Sequence, residues 1–189
     1  MTPRFEYRVW APDLTELAAR LAAHCEPQGV RASEETYLVH PRTDLNVKIR
    51  SGTLDIKQLV RIQQGFQLWT PIFKEAFPLS AASAAGVMGY LAVSQPSAGG
   101  DAPLDLDDFL ALAEETGTAR ASVAKQRHGY LQEGCILEFA EVTINGSGVH
   151  SVAVESEDLD TALAVADRLG INERPNESYQ QAIRRALGR

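Results

Sequence analysis

The chain has 189 residues, 44% hydrophobic and 23% charged, enough for one sizeable core, and disorder is not the default expectation. With 18 Lys and Arg against 25 Asp and Glu the net charge is −7, so the surface as a whole disfavours nucleic acid and anionic lipid. Cys25 and Cys135 are too far apart in sequence for a Cys-rich metal site or disulfide framework, no run approaches eighteen apolar residues, and the N-terminus is charged within four residues. A reduced, cytoplasmic protein with neither membrane span nor signal peptide is expected.

Phe5, Tyr7 and Val9 alternate with Arg4, Glu6 and Arg8, which predicts a strand with one apolar and one charged face. Asp13 precedes Leu14, Leu17, Ala18, Leu21 and Ala22 at helical spacing, with Glu16 placed to complete a capping box. A short β-prone stretch over 36–39 runs into Pro41. Leu45, Val47 and Ile49 then alternate with Asp44, Asn46, Lys48 and Arg50, and beyond Ser51-Gly52 the residues Leu54, Ile56, Gln58 and Val60 alternate with Thr53, Asp55, Lys57 and Arg61. This predicts a hairpin. Phe66, Leu68 and Trp69 suggest another strand within 65–77, placed at an edge by Pro71.

Residues 79–91 and 105–115 predict helices, with a loop over 94–103 between them, and 119–130, 134–144 and 149–157 predict three successive strands. Asp158 caps a helix over 159–169 that Gly170 ends, and 177–187 predicts a last short helix. A single domain over 1–189 is expected.

Eight basic residues fall on the charged strand faces, namely Arg4, Arg8, Lys48, Arg50, Lys57, Arg61, Lys125 and Arg127, against Glu6, Asp44, Asp55, Glu138 and Glu155. Positive charge is therefore concentrated on strands of an otherwise acidic chain. One arrangement with this pattern is an ordinary sheet with a solvated face. The other is a sheet curled so that the charged face lines a lumen under an apolar, helix-covered exterior. There Arg and Lys would converge on phosphate oxygens, and the few carboxylates would hold Mg²⁺ or Mn²⁺.

The order of these segments resembles the CYTH-like, triphosphate tunnel metalloenzyme family: Arg4-Phe5-Glu6-Tyr7-Arg8, Leu45 to Arg50, Leu54-Asp55-Ile56-Lys57, Lys125-Gln126-Arg127, Ile136-Leu137-Glu138-Phe139, Val152 to Asp158, and Asn176-Glu177-Ser178-Tyr179. The resemblance spans nearly the whole chain, is poor over about 62–105, and implies an α+β fold, an antiparallel β-barrel tunnel with helices packed outside. Where the family carries Glu-x-Glu-x-Lys on its first strand, Arg4 replaces the first Glu, Glu6 keeps the second and Arg8 stands for the Lys. By the resemblance Arg8, Lys48, Arg50, Lys57, Arg61, Lys125 and Arg127 would bind substrate phosphates, Lys57 and Glu138 would be catalytic, and Glu6, Glu138 and Glu155 would hold the metal. The family's Glu-x-Glu of the last strand falls on Ser151 and Ala153, with Glu155 two residues on, a departure that weakens the metal set. Arg50 and Lys57, on the two strands of the hairpin, are expected to lie close together.

None of His24, His40, His128 and His150 has a metal-ligand spacing, and Ser97-Ala98-Gly99-Gly100 lacks the Lys-Ser/Thr of a P-loop. Phe5, Tyr7, Trp10 and Trp69 are read as packing residues. The expected function is metal-dependent hydrolysis of inorganic triphosphate or an organic triphosphate. The alternatives are a non-catalytic polyphosphate- or nucleotide-binding module with a degenerate metal site, and an adenylate cyclase of the class IV type. The expected partner is a small polyphosphate or nucleoside triphosphate, without nucleic acid or membrane.

Overall fold

The alternation is realised in eight antiparallel strands: β1 (Arg4–Ala11), β2 (Glu26–Val39), β3 (Asn46–Arg50), β4 (Thr53–Gln63), β5 (Phe66–Ala76), β6 (Ala119–Gln132), β7 (Cys135–Ile144) and β8 (Ser147–Ser156). They close into one barrel in the order β1-β5-β4-β3-β2-β6-β7-β8. Helices α1 (Thr15–His24), α2 (Ala81–Tyr90), α3 (Leu106–Glu115), α4 (Leu159–Leu169) and α5 (Tyr179–Ala186) complete an α+β fold. The computed structural model describes residues 2–40, 43–91 and 102–188. Most of the loop expected over 94–103 lies outside the described residues.

Because side chains alternate across a strand, the ladder partners separate an outer face from an inner one. Phe5, Tyr7 and Val9 face outward and form a core with Leu17 and Leu21 of α1 and with Ala162, Val165 and Leu169 of α4. On the other flank Val47, Ile49, Leu54 and Ile56 meet Val87 and Met88 of α2 and Phe109 and Ala113 of α3. The third apolar cluster is inside the barrel: Tyr37, Val39, Ala121, Val123, Ala140 and Val142 surround Tyr179 and Ile183. Helices α1 to α4 pack outside the barrel as expected, and α5 fills one of its ends.

The path into α5 is tied to β1. The Asn176 side chain accepts from the Arg8 amide at 2.9 Å and donates to the Glu6 carbonyl at 3.1 Å and the Gly65 carbonyl at 2.8 Å. The Glu177 amide adds a bond to the Arg8 carbonyl. Ser178 and Gln181 then form a reciprocal capping box, and Arg184 reaches back to the Thr43 and His40 carbonyls and to Asp44.

Several expectations need correction. Asp13 does not cap α1; Leu14 occupies that position, and Asp13 accepts instead from the Thr15 amide. Strand β2 begins at Glu26, ten residues before the stretch expected from 36. Its first half contains Pro27 and Gly29 and is largely exposed, so it shows no buried alternation. Pro71 is not at an edge, since a closed barrel has none; it lies where the register slips between Ile56 and Lys57, and a bulge tolerates the missing donor. A second slip between Leu59 and Arg61 ends the hairpin's alternation, leaving Val60 and Ile62 exposed. Asp44 precedes β3 and belongs to the α5 anchor rather than to a strand face.

Asn176→Ala removes three hydrogen bonds at about 1 kcal/mol each and should lower unfolding stability by about 2–3 kcal/mol, read as a shift in the urea midpoint at unchanged slope.

Candidate functional site

The end of the lumen not filled by α5 is polar. Glu6 lies opposite Glu155 across β1 and β8, while Arg8 and Glu138 both lie opposite Ala153. The small Ala153 side chain leaves a gap, and the Arg8 guanidinium crosses it. Its Nε donates to Glu6 Oε1 at 2.7 Å, and Nη1 donates to Glu138 Oε1 at 3.1 Å and to Ser151 Oγ at 3.0 Å. Nη2 approaches Glu155 Oε1 at 3.9 Å, and the guanidinium carbon lies 4.6 Å from the centre of the Tyr179 ring. The Arg8 side chain is only 4% exposed. Burial works against its charge, but Glu6, Tyr179, Glu138 and Glu155 hold its pKa well above the usual arginine value.

Two of these carboxyls respond in opposite directions. Burial pushes both upward. At Glu6 the nearby Arg8, Lys57 and Lys48 outweigh it and the pKa is lowered. At Glu155 burial and the charge of Glu6 prevail over Lys57 and Arg8, and the pKa is raised. Facing carboxyls in one buried site divide in this way because like charges resist joint ionisation.

A second cluster centres on Glu35. Lys125 Nζ lies 2.8 Å from its Oε2, and Arg50 Nη1 lies 3.4 Å from its Oε1. The Lys125 ammonium also donates to Tyr37 Oη at 3.1 Å and sits 3.8 Å from the Tyr179 ring centre. Burial alone would raise the Glu35 carboxyl, but Lys125, Lys48 and the hydrogen bonds from Lys125 and Tyr37 bring it down to about 2. Burial pulls Lys125 down to about 8 despite Glu35. The asymmetry has a geometric source: Glu35 meets several cations, whereas Lys125 has one close carboxylate.

Of the other expected phosphate ligands, Lys48 pairs with Asp55 at 3.8 Å and Arg127 Nη1 with Glu138 Oε2 at 3.5 Å. The buried Arg127 Nε has no hydrogen-bond partner among the described residues. Lys57 lies opposite Asn46 and makes no ion pair among the described residues, although its charge is felt at Glu6 and Glu155. Below the clusters a cavity of about 270 Å³ opens between Arg31, Arg127, Glu138 and Glu155, with Leu131 and Ile136 at its rim. A larger groove of about 840 Å³ lies on the outer surface over β2, β6, β7 and β8. It is lined by Glu34, Gln126 and Glu141, and its one lysine, Lys125, turns its ammonium inward to Glu35, so cations converge in the lumen and not there.

Four site expectations change. Arg50 lies opposite Thr53 and Lys57 opposite Asn46, so the hairpin register separates them by four residues along the strand. Arg61 leaves the inner face at the bulge and lies opposite Leu68, with its guanidinium 5.6 Å from the Phe5 ring centre on the outer core. Arg8 directs its donors to carboxylates. Glu6, Glu138 and Glu155 do converge, but on Arg8; a divalent ion would need their oxygens in its own coordination sphere, at about 2.0 to 2.1 Å for Mg²⁺. Among the described residues no three His, Cys, Asp or Glu side chains form a group that could hold a metal ion, so the residues present do not fit the expected Mg²⁺ or Mn²⁺. The sequence reading missed Glu35, Tyr37, Ser151 as a hydrogen-bond partner, and Tyr179. The shared parity of Glu35 and Tyr37 was the available signal, hidden because the strand was started at 36.

No family model and no curated protein matches the sequence. Solved structures do match. A conserved hypothetical protein from Pyrococcus furiosus is 17% identical, with TM-score 0.56 over 95% of this chain and 98% of its own. A candidate adenylate cyclase from Bacillus halodurans is 16% identical, with TM-score 0.52 over 96% and 98%. A candidate adenylyl cyclase from Hippeastrum, reported to reveal a dominant triphosphatase activity, is 13% identical, with TM-score 0.53 over 98% and 96%. With the closed eight-stranded barrel, these likenesses establish a CYTH-like tunnel fold. No helix among the described residues is long and apolar enough to cross a membrane.

The charge of Glu35 is favoured by the fold, so the stability it contributes is complete above the ordinary carboxylate value of 4.5 and is lost as pH falls from there through about 2. Glu35→Gln should lower stability at pH 7 by about 3 kcal/mol, by leaving Lys125 buried without its carboxylate, and should flatten the acid limb of a stability-against-pH curve.

Proposed function

We propose that the lumen binds the phosphate chain of a small polyphosphate, either inorganic triphosphate or the triphosphate of an organic molecule. The observation that carries this reading is the convergence of Lys57, Lys48, Arg50, Lys125 and Arg127 from three strands, β3, β4 and β6, on one inner face, where among the described residues the Lys57 ammonium is outside any ion pair and the Arg127 Nε lacks a partner. Lys57 supplies a mobile point charge, Arg127 and Arg50 offer planar donors at the open end, and Lys48 and Lys125 reinforce the field from deeper in the lumen.

A second reading adds hydrolysis of the bound chain. It is favoured by the activity reported for the Hippeastrum structure and by the access of Glu138 and Glu155 to the cavity, where attacking water would meet the chain. Lys57 would neutralise charge on the scissile phosphoryl group and Glu138 would orient the water. Cyclisation of a nucleoside triphosphate is the remaining alternative, and it would be seen as release of pyrophosphate instead of phosphate.

Calorimetric titration with tripolyphosphate should show one site. Lys57→Ala should weaken it roughly tenfold or more, the scale of one charge-assisted hydrogen bond, while Arg61→Ala on the outer face leaves it unchanged. Equal affinity of wild type and Lys57→Ala would remove the basis for the lumen as the site. Phosphate release from tripolyphosphate, with and without Mg²⁺ or Mn²⁺, separates the binding reading from the hydrolytic one.

A further inference from the structure

We propose that the Arg8 guanidinium is a built-in cation that occupies the carboxylate cage in place of a divalent metal, so that the tunnel takes its polyphosphate as the metal-free anion. The second half of this statement rests on the polyphosphate reading above; the first half stands on the cage alone.

Arg8 is held from every side. Three carboxylates from three strands surround it, Glu6 on β1, Glu138 on β7 and Glu155 on β8, and Ser151 accepts a further hydrogen bond. The Tyr179 ring lies 4.6 Å from the guanidinium carbon, and Asn176 and Glu177 fix the Arg8 backbone through its amide and carbonyl. A guanidinium that cannot lose its proton and is this little exposed to water must keep these carboxylates as counter-ions. A divalent ion entering the same oxygens would strand it.

The neighbouring residues reinforce the exclusion. The two inner positions of β8 beside the cage are Ser151 and Ala153, which supply a hydroxyl and a methyl group where a metal site would draw on carboxylates. Their small size makes the space that the guanidinium fills. Lys57 and Lys48 extend their positive field to Glu6, and Lys57 extends it to Glu155, so an approaching cation meets two like charges besides Arg8. The same field draws an anion inward, and a phosphate chain that arrives without its metal keeps every oxygen free for Lys57, Arg127 and Arg50.

The test uses the full-length protein and Mn²⁺ itself, followed by electron paramagnetic resonance and calorimetry. Wild type is expected to show no stoichiometric Mn²⁺ site up to millimolar concentrations, and tripolyphosphate is expected to bind at least as tightly in chelator as in excess Mg²⁺. Arg8→Ala should gain one Mn²⁺ site, at least about tenfold tighter than any binding by wild type, and Glu6→Gln on that background should remove it. Arg8→Lys, which keeps a cation in the cage, should not gain it. Tight one-to-one Mn²⁺ binding by wild type that Glu6→Gln abolishes would overturn the proposal, as would a folded Arg8→Ala that binds no Mn²⁺. If Arg8→Ala does not fold, the wild-type titration decides alone. Failure of tripolyphosphate to bind under every condition would overturn the polyphosphate reading while leaving the Mn²⁺ result to judge the cage.

Discussion

A permanently charged guanidinium buried to the depth of Arg8 is tolerated only inside a shell of counter-charges, and much of the lumen is arranged to provide that shell. Glu6 is two residues away on the same strand, so it shares the inner face by the pleat alone. Glu138 and Glu155 come from β7 and β8 and reach Arg8 only because the barrel closes through the β1–β8 ladder. The shell therefore couples barrel closure to the charge of one side chain: opening the ladder would expose Arg8 to water but deprive it of two carboxylates at once. The raised pKa of Glu155 follows from the same depth, since burial and the charge of Glu6 there outweigh Lys57 and Arg8.

The inner face is divided lengthwise. Towards α5 the strands carry Val39, Ala121, Val123, Ala140 and Val142, which form an apolar plug with Tyr179 and Ile183. Away from it they carry the ionic clusters. Tyr179 belongs to both halves: its ring stacks on Tyr37 and meets Trp10 edge-on in the plug, while Arg8 and Lys125 lie against it from the polar side. An aromatic ring suits this boundary because its face attracts cations and its edges are apolar. The hydrogen bonds that the Arg8 amide donates to Asn176 and that the Glu177 amide donates to the Arg8 carbonyl set the position of Tyr179, so the last helix and the deepest cation are fixed by one short segment.

Strands that present one apolar and one charged face were legible in the sequence from their period of two: β1, the β3–β4 hairpin and the final three strands all showed it. The inward direction of the charge was not contained in that period, since a flat sheet with a solvated face has the same alternation; the order of the segments and their family resemblance supplied it. Residues 26–35 of β2 were missed because Pro27, Gly29 and a run of exposed residues erase the apolar signal, and with them went Glu35, the centre of the second ionic cluster. Arg61 was misplaced for the opposite reason: its parity with Lys57 is correct along an unbroken strand, and a bulge between them reverses it. Ser151 and Ala153 stood out in the sequence as departures from a carboxylate pattern. Their contribution, space and a hydroxyl for Arg8, depends on a cross-strand neighbour that no local pattern names.

The pairing within the lumen also bears on the kind of anion it suits. Apart from Lys57, the central cations Arg8, Lys48, Arg50, Lys125 and Arg127 each have a carboxylate in place before any ligand arrives. An incoming anion must therefore compete with resident carboxylates for the same donors. A lone phosphate gains Lys57 and little else, because each further contact requires weakening an existing pair. A chain of phosphates can engage Lys57 at one point while its other charges share Arg127 and Arg50 at the open end, so several partial gains add up along one molecule. The paired lumen would thus discriminate by charge density and length, and the anion, once bound, would sit among donors already ordered by their carboxylates, with little entropy left to lose.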